Sequence, residues 1–110
     1  MTLALLLAIG CAALAVSQRF MVYVENDTFD DVRVHTSTGF YLGTVRAGES
    51  VGLRAVCADF MRRRTGFSLT PVISTARPYP LIGEYITACS DSLVVRIPAA
   101  GVRRASVTVR

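Results

Sequence analysis

The stretch VRVHTSTGFYLGTV, residues 32–45, decides the fold of this chain. From Val32 to Thr36 apolar and polar side chains alternate, which is the period of a strand with one buried face. Ser37-Thr38-Gly39 is a short polar turn, and residues 40–45 continue as a second strand. Two such runs joined by a short turn that contains glycine predict a β-hairpin.

Similar short runs flank this hairpin on both sides. In chain order they are 20–24, 51–56, 67–72, 84–89, 93–97 and 105–109. Residues 75–83 contain Pro78 and Pro80, which have no backbone N–H to donate, so this stretch is predicted to be a long loop or an edge strand. Roughly seven or eight short strands at this spacing are typical of an all-β sandwich or barrel. We predict a small sandwich over residues 20–110, immunoglobulin-like or transthyretin-like.

The first nineteen residues have a different character. Every residue from Leu3 to Val16 is apolar or small, and the first charged side chain is that of Arg19. As a helix, residues 1–18 would be about 27 Å long, and the hydrocarbon core of a bilayer is about 30 Å thick. The segment is long enough to cross if Arg19 extends to the interface. We therefore predict that residues 1–19 are a retained membrane anchor.

Two other interpretations of this segment stay open. Ala8-Ile9-Gly10-Cys11 resembles a bacterial lipobox, with Ala8 where leucine is usual, and would make Cys11 a lipidation site. Ala13-Leu14-Ala15 fits the small-x-small rule of ordinary signal cleavage. All three interpretations place the domain outside the cytoplasm. We predict an inner-membrane protein whose domain lies on the periplasmic side.

The arginine content has two interpretations. The formal net charge is +4, and all twelve Lys and Arg residues are arginine, a bias for which a GC-rich genome is the favoured explanation. This excess suits an anionic membrane surface or an acidic protein, and it is too small and scattered to indicate nucleic acid. Arg62, Arg63 and Arg64 form either a solvated loop or a docking site for lipid headgroups or an acidic surface. A position near the membrane favours lipid, and a distal position favours protein.

A second candidate docking strip is Pro78-Tyr79-Pro80-Leu81-Ile82. Prolines make the strip stiff, and its apolar side chains Tyr79 and Leu81 are candidates for partner contact. The alternative is that the strip packs across an open end of the sandwich.

Cys57 and Cys89 are the two cysteines of the domain. In an oxidising compartment two such residues usually pair, and closing a loop of this length stabilises a fold by about 3–4 kcal/mol. We predict a structural disulfide. A redox or metal pair is less favoured because no Cys-x-x-Cys spacing occurs and the chain has a single histidine.

Catalytic signals are weak. His35 is the only histidine, and no nucleophile elbow or triad motif accompanies it. Glu25, Asp27, Asp30 and Asp31 offer oxygen ligands for Ca²⁺, but their spacing is not that of an EF-hand, so a solvated turn is the better interpretation. The sequence has no glycine-rich phosphate loop and no metal signature. We predict no enzymatic activity, no cofactor, no metal and no small-molecule substrate.

Four short motifs carry a resemblance to known proteins. They are Val22-Tyr23-Val24-Glu25-Asn26, Val32-Arg33-Val34, Leu42-Gly43-Thr44-Val45 and Ser106-Val107-Thr108-Val109-Arg110. In this pattern the domain resembles short, exported β-sandwich proteins of Gemmatimonadota-type bacteria. The resemblance implies a fold and an export route and no particular activity. The pair Cys57 and Cys89 is not part of that general pattern.

Together these features predict a non-catalytic, membrane-anchored accessory or structural subunit of a larger membrane protein complex. Its partners would be the other subunits and the lipid bilayer, and a respiratory or photosynthetic core complex is a possible host. The alternative is a free-standing lipoprotein, acylated at Cys11, that acts as an envelope binding module. A small hydrolase or redox protein is the least favoured class.

Overall fold

The computed structural model describes residues 19–56, 66–73, 76–82 and 92–110. These residues form strands and one short 3₁₀ helix, Val102–Arg104. The strands are β1 (Arg19–Asn26), β2 (Val32–Thr36), β3 (Tyr41–Val45), β4 (Ser50–Val56), β5 (Gly66–Pro71), β6 (Tyr79–Ile82), β7 (Leu93–Ile97) and β8 (Ser106–Val109). The predicted all-β fold is confirmed for this part of the chain.

The strands form two four-stranded sheets. The first sheet has the order β4-β1-β7-β8, and the second has the order β3-β2-β5-β6. In the first sheet β1 runs antiparallel to β4 and parallel to β7. In the second sheet all neighbours are antiparallel.

The hairpin predicted from residues 32–45 is confirmed. β2 and β3 are antiparallel neighbours, with an irregularity of register between Val34 and His35. The turn is closed by the Gly39 N–H, which donates to the Thr36 carbonyl at 2.9 Å, and by the Thr36 N–H, which donates to the Phe40 carbonyl at 2.8 Å. Gly39 has a φ of 103°, a conformation that costs glycine little and other residues more.

Both sheets contribute to one apolar core. Alternate residues of the strands point inward, so the buried set is dominated by valine, which suits a pleated surface. The buried core residues are Phe20, Val22, Val24, Val32, Val34, Val45, Ala55, Phe67, Leu69, Leu93, Val95 and Ile97. Each fully buried side chain of this size contributes about 1.5–3 kcal/mol relative to exposure, so the shared core holds the two sheets face to face.

β1 extends two residues beyond its predicted end and finishes at the buried polar residue Asn26. Residues 25 and 26 were expected in a turn, yet both belong to β1, and the Asn26 side chain is fully buried. Its Nδ2 group donates to the carbonyl oxygens of Asp30 at 2.9 Å, Val45 at 3.0 Å and Arg46 at 3.2 Å. Its Oδ1 accepts from the Thr28 hydroxyl at 2.6 Å and from the Thr28 N–H at 3.1 Å. Asn26 thus joins the turn after β1 to the turn after β3.

The other predicted segments have mixed outcomes. The proline-containing stretch after residue 75 includes β6, which lies at the edge of the second sheet, as one of the two predicted alternatives requires. The expected strand 84–89 and residues 1–18 of the expected anchor lie outside the described residues. Within the described part of the chain, no helix is long and apolar enough to cross a bilayer.

The strand register defines two ends of the sandwich. At the near end, where β1 begins, Arg19 lies opposite Val56 and Gly66 lies opposite Ile82. The residues that flank the segments 57–65 and 83–91 therefore lie at the near end. The far end carries the turns 27–31 and 46–49, the exit from β5 and the 3₁₀ helix.

Candidate functional site

A groove of about 350 Å³ opens at the far end, between the start of β6 and the 3₁₀ helix. Pro71 and Ile73 line it from the exit of β5, and Tyr79 lines it from the start of β6. Val102 and Arg103 line it from the 3₁₀ helix, and Arg77 lines it from the residues before β6. The groove thus draws on three separate parts of the chain.

The wall of the groove formed by β6 follows from strand alternation. Tyr79 and Leu81 lie opposite Leu69 and Phe67, which are fully buried, so all four side chains share the inner face of the second sheet. Leu81 packs against the core. Tyr79, at the far end of the same face, stays half-buried and lines the groove.

The opposite wall depends on the turn before β8. Gly101 has a φ of 114°, and the N–H groups of Arg104 and Ala105 donate to the Gly101 and Val102 carbonyls, both at 3.1 Å. Val102 packs against the core. Because the 3₁₀ helix turns about every three residues, Arg103 and Arg104 then project into solvent.

The groove is positively charged, and its arginines have no carboxylate partner among the described residues. Arg77 and Arg103 are both exposed. Within the described part of the chain the ion pair is between Arg96 and Glu25, at 2.9 Å on the outer face of the first sheet. Arg77 and Arg103 therefore hold guanidinium groups that no described carboxylate neutralises.

The acidic turn, residues 27–31, also lies at the far end. Asp31 Oδ1 accepts a hydrogen bond from the Ala47 N–H at 3.0 Å, which turns this carboxylate toward the turn between β3 and β4. No three His, Cys, Asp or Glu side chains among the described residues come together as a metal site.

Exposed apolar side chains continue the groove onto the surface. Ile73 is 52% exposed, Val72 is 41% exposed and Phe29 is 93% exposed. Val72 is tied to the turn that carries Phe29, because its N–H donates to the Asp31 carbonyl at 2.8 Å. Aromatic and arginine side chains around an apolar centre are typical of protein–protein interfaces. The arrangement therefore has the composition of a binding surface.

A second, shallower concavity lies on the outer face of the first sheet. It has a volume of about 200 Å³ and is lined by Tyr23, Val94 and Arg110 among others. Gly52 lines the concavity, and a Cβ atom added at this position would lie 2.7 Å from the Met21 Cε atom. Glu25, which also lines it, is already paired with Arg96. The charged groups of this concavity are therefore partly paired. This makes the concavity a weaker candidate for a functional site than the groove.

His35 lies on the second sheet, away from the groove. Its ring centroid is 5.3 Å from that of Tyr41, at an interplanar angle of 53°. The Tyr41 hydroxyl lies 2.6 Å from the Thr44 hydroxyl. These contacts are those of a cross-strand aromatic pair on a sheet surface.

The predicted site residues are only partly placed. Tyr79 lies in the groove, and Leu81 packs on the core beside it. Cys11, Cys57, Cys89 and the arginines Arg62, Arg63 and Arg64 lie outside the described residues, so their predicted roles stay predictions. Sequence patterns missed Arg77, Arg103 and Ile73, and the only signal near them was the pair of prolines at 78 and 80.

No protein-family model, no curated protein and no solved structure gives a significant match to this chain.

Proposed function

We propose that the protein is a non-catalytic accessory subunit, held in the inner membrane by residues 1–19, whose periplasmic β domain contacts a larger membrane protein complex. The observation that carries the proposal is the position of the groove, at the end opposite to the start of β1. An anchor that precedes Arg19 holds the near end at the bilayer. The groove and its apolar surroundings then face away from the membrane, toward a partner.

The strand order supports the transthyretin-like form of the predicted sandwich. In the immunoglobulin arrangement the first strand pairs with the second strand. Here β1 pairs with β4 and β7 instead. The four sequence motifs shared with exported Gemmatimonadota-type proteins lie in β1, β2, β3 and β8, so the proposed relationship rests on strands of both sheets.

The near end suits contact with lipid. Val56 and Gly66, which flank the segment with Arg62, Arg63 and Arg64, both lie at this end. We assign these arginines to anionic headgroups, each worth about 1 kcal/mol near such a surface. Cys57 and Cys89 belong to segments that leave the same end, which supports their pairing as a disulfide.

Native-gel separation of mildly solubilised membranes, with mass spectrometry of each band, tests the proposed function. We expect the protein to migrate with one large complex at fixed stoichiometry, with residues 1–19 retained in its intact mass. Migration alone, near the mass of a monomer, would remove the subunit proposal.

The lipobox-like sequence before Cys11 supports one alternative, a free-standing lipoprotein that acts as an envelope binding module. Cys11→Ser distinguishes the two. The variant loses membrane attachment if acylation anchors the protein, and it stays in the membrane fraction if the apolar segment spans the bilayer.

A further inference from the structure

We propose that the groove binds an extended, acidic segment of the partner protein, with an apolar side chain against Tyr79 and Val102 and carboxylates on Arg77 and Arg103. This inference rests on the proposed function, because it names the chemistry of the partner at the far end. The sequence pattern did not assign Arg77 or Arg103 to any site.

The positive charge of the groove favours a negatively charged binding partner. Two exposed guanidinium groups line a half-apolar groove without a described carboxylate partner. A guanidinium presents a planar fork that accepts a carboxylate through two parallel hydrogen bonds. The Asp31 carboxylate accepts from the Ala47 N–H at 3.0 Å, so it is engaged by the turn between β3 and β4 and is not paired with either groove arginine.

The shape of the groove favours a protein segment over a small molecule. Sites for small ligands enclose most of the ligand in about 300–1,000 Å³. This groove, at about 350 Å³, is at the low end of that range, and Ile73, Arg77, Pro78 and Arg103 on its walls are exposed. Such an open groove encloses one or two side chains of a longer segment.

The prolines of β6 determine how that segment is held. β6 is an edge strand, and an edge strand ordinarily offers its N–H groups to an added strand. Pro80 has no N–H, and Pro78, two positions earlier, faces the same side. The segment is therefore held by side-chain contacts with the groove and not by extension of the sheet.

Fluorescence anisotropy of the full chain in detergent micelles tests the inference. The probe is a fluorescein-labelled peptide of alternating Glu and Leu, and the same peptide with Gln for Glu reports the need for charge. The variant carries Arg77→Glu and Arg103→Glu. The matched control carries Arg33→Glu and Arg54→Glu, which changes the net charge equally at two exposed arginines on the outer faces of β2 and β4.

We expect the groove variant to bind the Glu peptide about tenfold more weakly, which corresponds to the loss of two exposed ion pairs. The matched control should bind within about twofold of the unmodified protein on the same scale. Circular dichroism and thermal melting of both variants establish that each is folded.

Three results would overturn the inference: no binding of the Glu peptide, equal binding of the Gln peptide, or equal loss in the two variants. The native gel separates this failure from failure of the proposed function. If the groove variant still migrates with the complex, the acidic-segment inference is lost and the subunit proposal stands. If the unmodified protein migrates alone, the subunit proposal itself is lost.

Discussion

At the scale of single residues, Asn26 is the side chain on which the far end depends. Its amide holds three carbonyl groups from two turns and accepts from Thr28. Among the described residues, every buried side-chain nitrogen and oxygen has a partner. Removal of one member therefore leaves several buried polar groups unsatisfied, and each costs more than the bond itself contributed.

Asn26→Ala is expected to lower the free energy of unfolding by about 1–3 kcal/mol, because the freed carbonyls and the Thr28 hydroxyl lose a buried partner. Chemical denaturation of the full chain in detergent micelles measures the change. Thr108→Ala, at an exposed position of β8, is the control and should change the value by less than about 0.5 kcal/mol. Equal stability of the two variants would contradict the structural role of Asn26.

The burial of Asn26 was beyond reach of sequence patterns, which predicted a polar turn from Glu25 onward. An asparagine next to aspartates is usually a solvated turn residue. Asn26 is held inside the protein because its amide donates to the carbonyl oxygens of Val45 and Arg46, which lie where β3 enters the next turn. The partners become visible only when both turns are brought to the same end.

At the scale of elements, β6 shows how an exposed strand edge is protected. It pairs with β5 on one side only. Pro80, opposite Ser68, and Pro78 before it leave the free edge short of donors. Edge strands without such protection are templates for association with other chains.

Replacement of Pro78 and Pro80 together by Thr is expected to raise the rate of aggregation on mild heating several-fold, because it restores two N–H donors to a β-compatible edge. Light scattering follows the rate. Pro98→Thr, in the turn after β7, serves as the control. A double variant that aggregates no faster than the control would show that the prolines do not protect this edge.

The strands that alternation predicts best are those with one buried and one solvated face. β2 was predicted with its observed bounds, because Val32, Val34 and Thr36 are buried while Arg33 is exposed. In β4, Val51, Leu53 and Ala55 alternate with exposed residues and share the inner face, as the alternation in the sequence indicates. For β6 the sequence predicts either a loop or an edge strand, because two prolines in a short run weaken any strand pattern.

At the scale of the whole molecule, the domain has distinct ends. Phe40, 62% exposed, lies at the near end in the hairpin turn, and Phe29, 93% exposed, lies at the far end. The chain contains no tryptophan. Each of these positions therefore accepts a single tryptophan as a clean fluorescent reporter of its distance from the bilayer.

We expect Phe40→Trp to be quenched by brominated lipids in vesicles that contain the full chain, and Phe29→Trp to be quenched much less. The reason is that the proposed anchor, which precedes β1, would bring the near end to the headgroups. Matching thermal melts of the two variants would show that both keep the fold. Stronger quenching of Phe29→Trp, or equal quenching of both, would contradict the proposed orientation.

The fold class was readable from local patterns, whereas the sheet order and the groove were not. Strand pairing depends on contacts between distant residues, such as Val22 with Leu93. The groove likewise joins Ile73 and Tyr79 to Arg103, which no spacing rule connects. Of these three residues, the sequence indicates only Tyr79 as a candidate for partner contact, because it lies between two prolines.

The parallel pairing of β1 with β7 has a consequence for how the protein is made. In β1, Val22 pairs with Leu93 of β7, so β1 leaves the ribosome long before this neighbour does. Pairings so distant in sequence slow folding, because a long loop must close before they form. The first sheet therefore stays incomplete until β7 has been synthesised. If the domain is exported as proposed, this delay favours an unfolded chain during transport across the membrane.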